Sequence, residues 1–164
     1  MAVVDHEQGK SQASGRIYEQ KASRIEYISY LNKCVTVKDT DNIKEGVVVR
    51  IMNCEDSYIF INQKVDCLEI NGCINCTVFC AAVSRVCSLM KCENVNLTVA
   101  AGLVQIGNCV DSTVNSYSHL GPPVVFGDTR SLTLAPHNAS YPAMKDLMHK
   151  AGLNTMVNDF AQRV

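Results

Sequence analysis

The sequence predicts an all-β chain folded as a parallel β-helix with coils of about 19 residues and a C-terminal helix packed on it. Three observations predict it. Cysteine recurs at Cys54, Cys73, Cys92 and Cys109, with spacings of 19, 19 and 17 residues. The residues flanking each cysteine alternate apolar and polar with period two, and no stretch from 47 to 116 sustains a helical pattern. Each cysteine also sits in the same short turn: Asn53-Cys54-Glu55-Asp56, Gly72-Cys73-Ile74-Asn75, Lys91-Cys92-Glu93-Asn94 and Asn108-Cys109-Val110-Asp111.

In chain order, residues 1–22 are polar and rich in Gly, Ser and Gln, the composition of a disordered lead-in. Apolar residues return from Ile25 to Val37, where an irregular first coil is expected to cap the column; Cys34, 20 residues before Cys54, extends the series. In the repeats, Val49, Leu68, Cys87 and Val104 stand five before the cysteine, and Ile51, Ile70, Leu89 and Ile106 three before. Ile59, Val78, Leu97 and Val114 stand five after it, and Ile61, Cys80, Val99 and Ser116 seven after. Each repeat is therefore strand, turn, strand, and the leucine framework of leucine-rich repeats is absent. Stacked coils about 4.8 Å apart make ladders of like residues. Cys54, Cys73, Cys92 and Cys109 form an inner one, and Asp56, Asn75, Asn94 and Asp111 form one at a corner. A weakened last coil puts Gly127 at the cysteine position, with Leu132 and Leu134 in the two apolar columns after it. The β-helix domain is read as residues 23–142. Tyr141-Pro142 stops the extended chain, and 143–164 forms a helical segment with Met144, Leu147, Met148 and Ala151 on one face. Gly152 is a break, followed by a second helical stretch through Met156, Val157 and Phe160, and the segment covers the end or flank of the column.

A length of 164 residues with 47% hydrophobic content fits one domain. A net charge of −1 gives no general argument for nucleic acid or an anionic membrane. The chain has neither an 18-residue apolar run nor a signal-peptide pattern at its start, so it reads as cytoplasmic with no membrane insertion. Nine cysteines in such a chain are read as free core thiols. Cys73-Ile-Asn-Cys76 has zinc-knuckle spacing, yet the repeat sends Cys73 and Cys80 inward and leaves Cys76 at a corner, and no His lies between residues 7 and 118. No metal and no cofactor are expected. His6, His119, His137 and His149 stand in no recognisable motif, glycines form no phosphate-cradling loop, and the three sequons at Asn75, Asn96 and Asn138 have no secretory context.

Asn71-Gly-Cys-Ile-Asn-Cys-Thr-Val78, the Cys92-Glu-Asn-Val95 coil, and Gly127-Asp-Thr-Arg-Ser-Leu-Thr-Leu-Ala-Pro-His-Asn-Ala-Ser-Tyr-Pro142 carry a resemblance. From Val49 to about Leu153 the chain resembles the C-CAP/cofactor C-like (TBCC) family, and among its members those of centrosomes and basal bodies most. The resemblance implies a right-handed β-helix. Family members that act on tubulin or on Arf-like GTPases supply an arginine to the bound nucleotide, where it stabilises the transferring phosphoryl group. Aligning their Val-Ala-Cys-Gln-Gln-Leu-Arg motif puts Val99-Ala-Ala-Gly-Leu-Val-Gln105 over it, with Gln105 at the arginine. Gln105 lies between the inward Val104 and Ile106 and so points outward. Arg50 shares its column three coils earlier, too far to substitute, and Arg85 stands one coil earlier. The implied reading is a non-catalytic binding module of the cytoskeleton, with tubulin or an Arf-like GTPase as partner. Arg85, Gln105, His137, Asn138 and Tyr141 are candidate contacts. The alternatives are a GTPase-activating protein using Arg85, and an actin-binding module like that of cyclase-associated protein.

Overall fold

The computed structural model describes residues 24–39 and 46–161; the lead-in expected over 1–22 lies outside them. The chain coils about six times. The strands are β1 (Ile25–Ser29), β2 (Val35–Lys38), β3 (Val48–Met52), β4 (Tyr58–Val65), β5 (Cys67–Asn71), β6 (Thr77–Met90), β7 (Asn96–Gly107), β8 (Thr113–Ser118), β9 (Val124–Phe126) and β10 (Thr133–Pro136). All the strand pairs are parallel. One ladder precedes the cysteines: β1, β3, β5, the second half of β6, the second half of β7, then β9. Another follows them: β2, β4, the first halves of β6 and β7, then β8 and β10. Between the two, a file of single bridges joins Asn32, Glu55, Ile74, Glu93, Val110 and Arg130.

The alternation read from sequence is the alternation of the structure. In the four central coils the columns three and five before the cysteine, the cysteines, and the columns five and seven after it are none of them more than 2% exposed. A further inward column falls three after the cysteine: Ser57, Cys76, Val95 and Ser112. Cys76 therefore belongs to the core and not to a corner, because the turn needs only two outward residues before the chain points in again. Hydrogen bonding explains why thiols and hydroxyls fill these columns. The Cys54, Cys92 and Cys109 thiols face the carbonyls two residues back, at 3.5, 3.2 and 3.3 Å, and Cys76 does the same at 3.3 Å. The hydroxyls of Ser57 and Ser112 donate to the equivalent carbonyls at 2.7 and 3.0 Å. A small inward donor thus adds a second hydrogen bond to a corner carbonyl that already accepts a backbone N–H from the neighbouring coil. Burial pushes the Cys80 thiol up to about 12 and Cys76 to about 11, which keeps both protonated and apolar in character.

Each corner needs two left-handed residues, one just before the cysteine and one two after it. Asn53, Lys91 and Asn108 have φ of 52°, 51° and 53° at the first; Asp56, Asn75, Asn94 and Asp111 have 48–52° at the second. Asn and Asp tolerate this region best among residues with a side chain. At the second position they also form a ladder, with Asn75 Nδ2 donating to Asp56 Oδ1 at 3.0 Å and Asn94 Nδ2 to Asn75 Oδ1 at 2.9 Å.

The last coil is registered differently from the sequence expectation. Phe126 pairs with Gly107 but Arg130 with Val110, so the turn holds one extra residue. Gly127 falls on Asn108, and Thr129 takes the cysteine place, its Oγ1 accepting from the Cys109 N–H at 3.4 Å. Leu132 then falls in the Ser112 column and Leu134 opposite Val114. The extra residue, Asp128, is held by its N–H to Asn108 Oδ1 at 3.0 Å. The first coil also departs from expectation, being regular instead of an irregular cap. Glu26 and Lys38 occupy inward positions opposite Val49 and Ile61, and they close that end as an ion pair at 3.4 Å. Inward charges at a terminal coil discourage further strand pairing.

Beyond β10 the chain turns back along the outside of the second ladder. The helix α1 spans only Met144–Lys150 and lies on the flank formed by β4 and β6. Gly152, at φ 73°, ends it, with Leu153 N–H returning to the Met148 carbonyl at 2.9 Å. The expected second helix is a single 3-10 turn, Asp159–Ala161, and Met156 is 89% exposed. The tail there serves β8: the Tyr117 hydroxyl sits against the Asn154 and Val157 carbonyls, and Asn158 Oδ1 accepts from Ser118 N–H at 3.1 Å. Ala81, Ala82 and Ala100 give the helix room to approach, packing with Leu147, Met148, Ala151 and Leu153 as a second apolar cluster.

Candidate functional site

The outward side chains of the first ladder stack in two columns. Tyr27, Arg50, Glu69, Ser88, Gln105 and Val124 form one; Ser29, Met52, Asn71, Met90, Gly107 and Phe126 form the other. Between them lies a groove of about 450 Å³ lined by Arg50, Met52, Glu69, Ile70, Asn71, Ser88, Met90, Gln105 and Phe126. Its far end depends on Gly107: a Cβ there would stand 2.6 Å from Phe126 Cε2 and 3.0 Å from Met90 Cε. The absent side chain is what lets the Phe126 ring and the Met90 methyl converge over the sheet.

Gln105 is half-buried in this groove, between the fully buried Val104 and Ile106, so its outward direction is as the alternation requires. Arg50 lies at the other end of the same column, three strand spacings or about 14 Å away. It is held in place: Nε donates to Glu69 Oε2 at 2.7 Å, Nη1 to the Tyr27 hydroxyl at 3.4 Å, and the guanidinium stands 6.0 Å from the Tyr27 ring centre. The Tyr27 hydroxyl first, and the Glu69 carboxylate next, raise its pKa above the ordinary arginine value. Arg85 is exposed and does not line the groove. It lies on the corner between the two ladders, its N–H bonded to the Asp66 carbonyl at 3.0 Å and its own carbonyl against Gly102, where a Cβ would come within 2.6 Å.

The remaining candidates belong to the opposite face and to the tail. His137 N–H donates to the Ser116 carbonyl at 3.1 Å, while its Nε2 is buried without a hydrogen-bond partner and burial lowers its pKa. Asn138 Oδ1 accepts from Thr98 Oγ1 at 3.4 Å. Tyr141 donates to the Ala81 carbonyl at 2.6 Å and meets Phe79 edge to face at 5.4 Å, and burial raises its pKa. These three contacts step from β8 to β7 to β6 and tie the tail down. The structure thus separates Gln105 from the His137, Asn138 and Tyr141 group. Met52, Met90 and Phe126 escaped the sequence reading; their signal was an apolar residue immediately before the left-handed turn residue, Asn53, Lys91 or Gly127, on a face expected to be polar.

The family model described as "Tubulin binding cofactor C" matches residues 46–164. The chain belongs to the tubulin-binding cofactor C family. Relatives of this cofactor C module include the TBCC domain-containing protein 1 of Danio rerio, 28% identical over 136 residues covering 83% of this chain and 23% of that protein. Those of Homo sapiens and Mus musculus are 27% and 26% identical, each covering 82% of this chain and 24% of the relative. The chain thus spans about a quarter of the length of the curated relatives it matches. Within the cofactor C fold, the segment Val99–Gln105 starts inward on the second ladder. It rounds the corner at Gly102 and ends at Gln105 in the groove. Among the described residues no helix is long and apolar enough to cross a membrane, and no three His, Cys, Asp or Glu are grouped to hold a metal ion.

Proposed function

We propose that this chain is a non-catalytic binding module of the cytoskeleton that works at centrosomes or basal bodies and docks tubulin or an Arf-like GTPase on the grooved first-ladder face. One observation supports the reading: Gln105, which the sequence resemblance sets at the family's arginine, lines a groove whose one cation among the described residues, Arg50, is bound to Glu69 and Tyr27 about 14 Å away. A glutamine has neither the charge nor the fork of donors that stabilise a transferring phosphoryl group. In this reading the face has an uncharged amide where catalysis would need a cation, which suits recognition without catalysis.

The test is single-turnover GTP hydrolysis by tubulin and by a panel of Arf-like GTPases, each with the wild type, Gln105→Arg and Arg85→Ala, alongside direct binding of each GTPase. The expected result is binding without stimulated hydrolysis by the wild type, and a gain of stimulation with Gln105→Arg. Stimulation by the wild type that disappears in Arg85→Ala would make this a GTPase-activating protein and overturn the reading.

A further inference from the structure

The chemistry of the groove speaks about what it contacts. Among the described residues its single cation and single anion, Arg50 and Glu69, neutralise each other at 2.7 Å. The rest of its lining is uncharged, so nothing there compensates the desolvation of a phosphate, a carboxylate or an ammonium group. Gln105 and Ser88 have no side-chain hydrogen-bond partner among the described residues, which leaves an amide and a hydroxyl open toward the groove. Met52, Met90 and Phe126 supply the apolar part, and Phe126 is 43% exposed although Gly107 gives its ring a seat against the sheet. Methionine and phenylalanine form an adaptable apolar surface, and convergent amide and hydroxyl groups beside it set orientation.

We propose that the groove takes an uncharged extended peptide segment of the partner, with an aliphatic or thioether side chain seated on Met52, Met90 and Phe126 and the segment's backbone amide bonded to Gln105. This rests on the first-ladder face being the docking face, and it replaces contact with a nucleotide phosphate by contact with polypeptide. Charge balance selects the occupant: a neutral groove gains from burying a neutral side chain and loses by burying an ion. Gln105 then has a positive task, since its amide can both donate to and accept from a peptide group, which an arginine cannot do.

The test is methionine-methyl and side-chain-amide NMR of the whole chain, titrated separately with the capped peptides Ac-Ala-Leu-Ala-NH2, Ac-Ala-Arg-Ala-NH2 and Ac-Ala-Glu-Ala-NH2 and with inorganic phosphate. Saturable shifts of the Met52 and Met90 methyls and of the Gln105 amide by the leucine peptide are expected. The arginine and glutamate peptides and phosphate should bind roughly tenfold more weakly or less. Phe126→Ala and Gln105→Ala should each weaken the leucine peptide by several-fold or more, and Gln105→Ala, on an outward side chain, leaves the fold intact. No saturable shift, tighter binding of an ionic probe, or indifference to Gln105→Ala would overturn the proposal. If the leucine peptide fails while tubulin or an Arf-like GTPase still perturbs Met90, the groove inference falls and the binding-module reading stands. If the peptide binds and no cytoskeletal protein does, the reverse holds.

Discussion

The ladder after the cysteines and the ladder before them are built by the same coils from the same alternation, yet among the described residues the tail covers one and not the other. On the covered face, outward Phe79 and Thr98 and the corner alanines meet Tyr141, Asn138 and the helix. On the first-ladder face, outward Met52, Met90, Gln105 and Phe126 frame a groove that the described tail does not reach. A solenoid fixes only its inward columns, so its outer faces are free to differ, and the tail decides which face is left for a partner. Residues that looked alike as surface candidates therefore divide: Tyr141 serves the fold, and Gln105 is available for recognition.

The largest effect that separates the faces is expected from Tyr141→Ala. It removes an edge-to-face ring contact and a hydrogen bond to the buried Ala81 carbonyl, and similar losses cost roughly 3 kcal/mol. Thermal or urea denaturation should show this loss, while peptide or GTPase binding to the first-ladder groove at a temperature where the variant is folded stays unchanged. Tyr141→Phe keeps the ring and should cost only about 1 kcal/mol. Groove binding that falls in step with tail detachment would break the comparison, because the faces would then be coupled.

A smaller effect, also confined to the covered face, is expected on acidification. Burial holds the folded-state pKa of His137 below its ordinary value of 6.5, and its Nε2 has no acceptor to receive a proton. The unfolded chain takes up that proton first as pH falls. The stabilisation is therefore complete above about pH 6.5 and is lost progressively as pH falls from there through the folded-state pKa. Denaturation midpoints of the wild type should drop across that window relative to His137→Gln. Parallel pH curves for the two proteins would show that the tail does not rely on a neutral imidazole.

The two faces were unequally legible in the sequence, for a physical reason. Inward columns repeat because each coil stacks on the last, so Ile51, Ile70, Leu89 and Ile106 declare themselves, as do the cysteines and the corner Asn/Asp series. The outward column of the groove runs Met52, Asn71, Met90, Gly107 and Phe126, an apolar set interrupted by Asn71 and Gly107 that becomes a site only after stacking. The direction of Gln105 was readable because it follows from its neighbours. Counting alone misplaces the last coil, since one inserted residue, Asp128, shifts the register, and it finds the break at Gly152 but puts a second helix after it where a single 3-10 turn forms. Cys76 was misassigned because its role depends on the Ile74 carbonyl it faces, a three-dimensional fact about the corner.

The smallest effect is the one that most sharpens the contrast. Gln105 is flanked by two fully buried residues, but its own side chain points away from the core and has no hydrogen-bond partner among the described residues. Gln105→Ala and Gln105→Arg should each change unfolding free energy by no more than about 0.5 kcal/mol, the usual range for outward substitutions. A larger loss would mean that the amide braces the sheet, and its identity would then be explained by stability. A near-zero change combined with altered binding would mean that the fold is indifferent to Gln105 and the partner is not, which is the signature of a residue held for recognition.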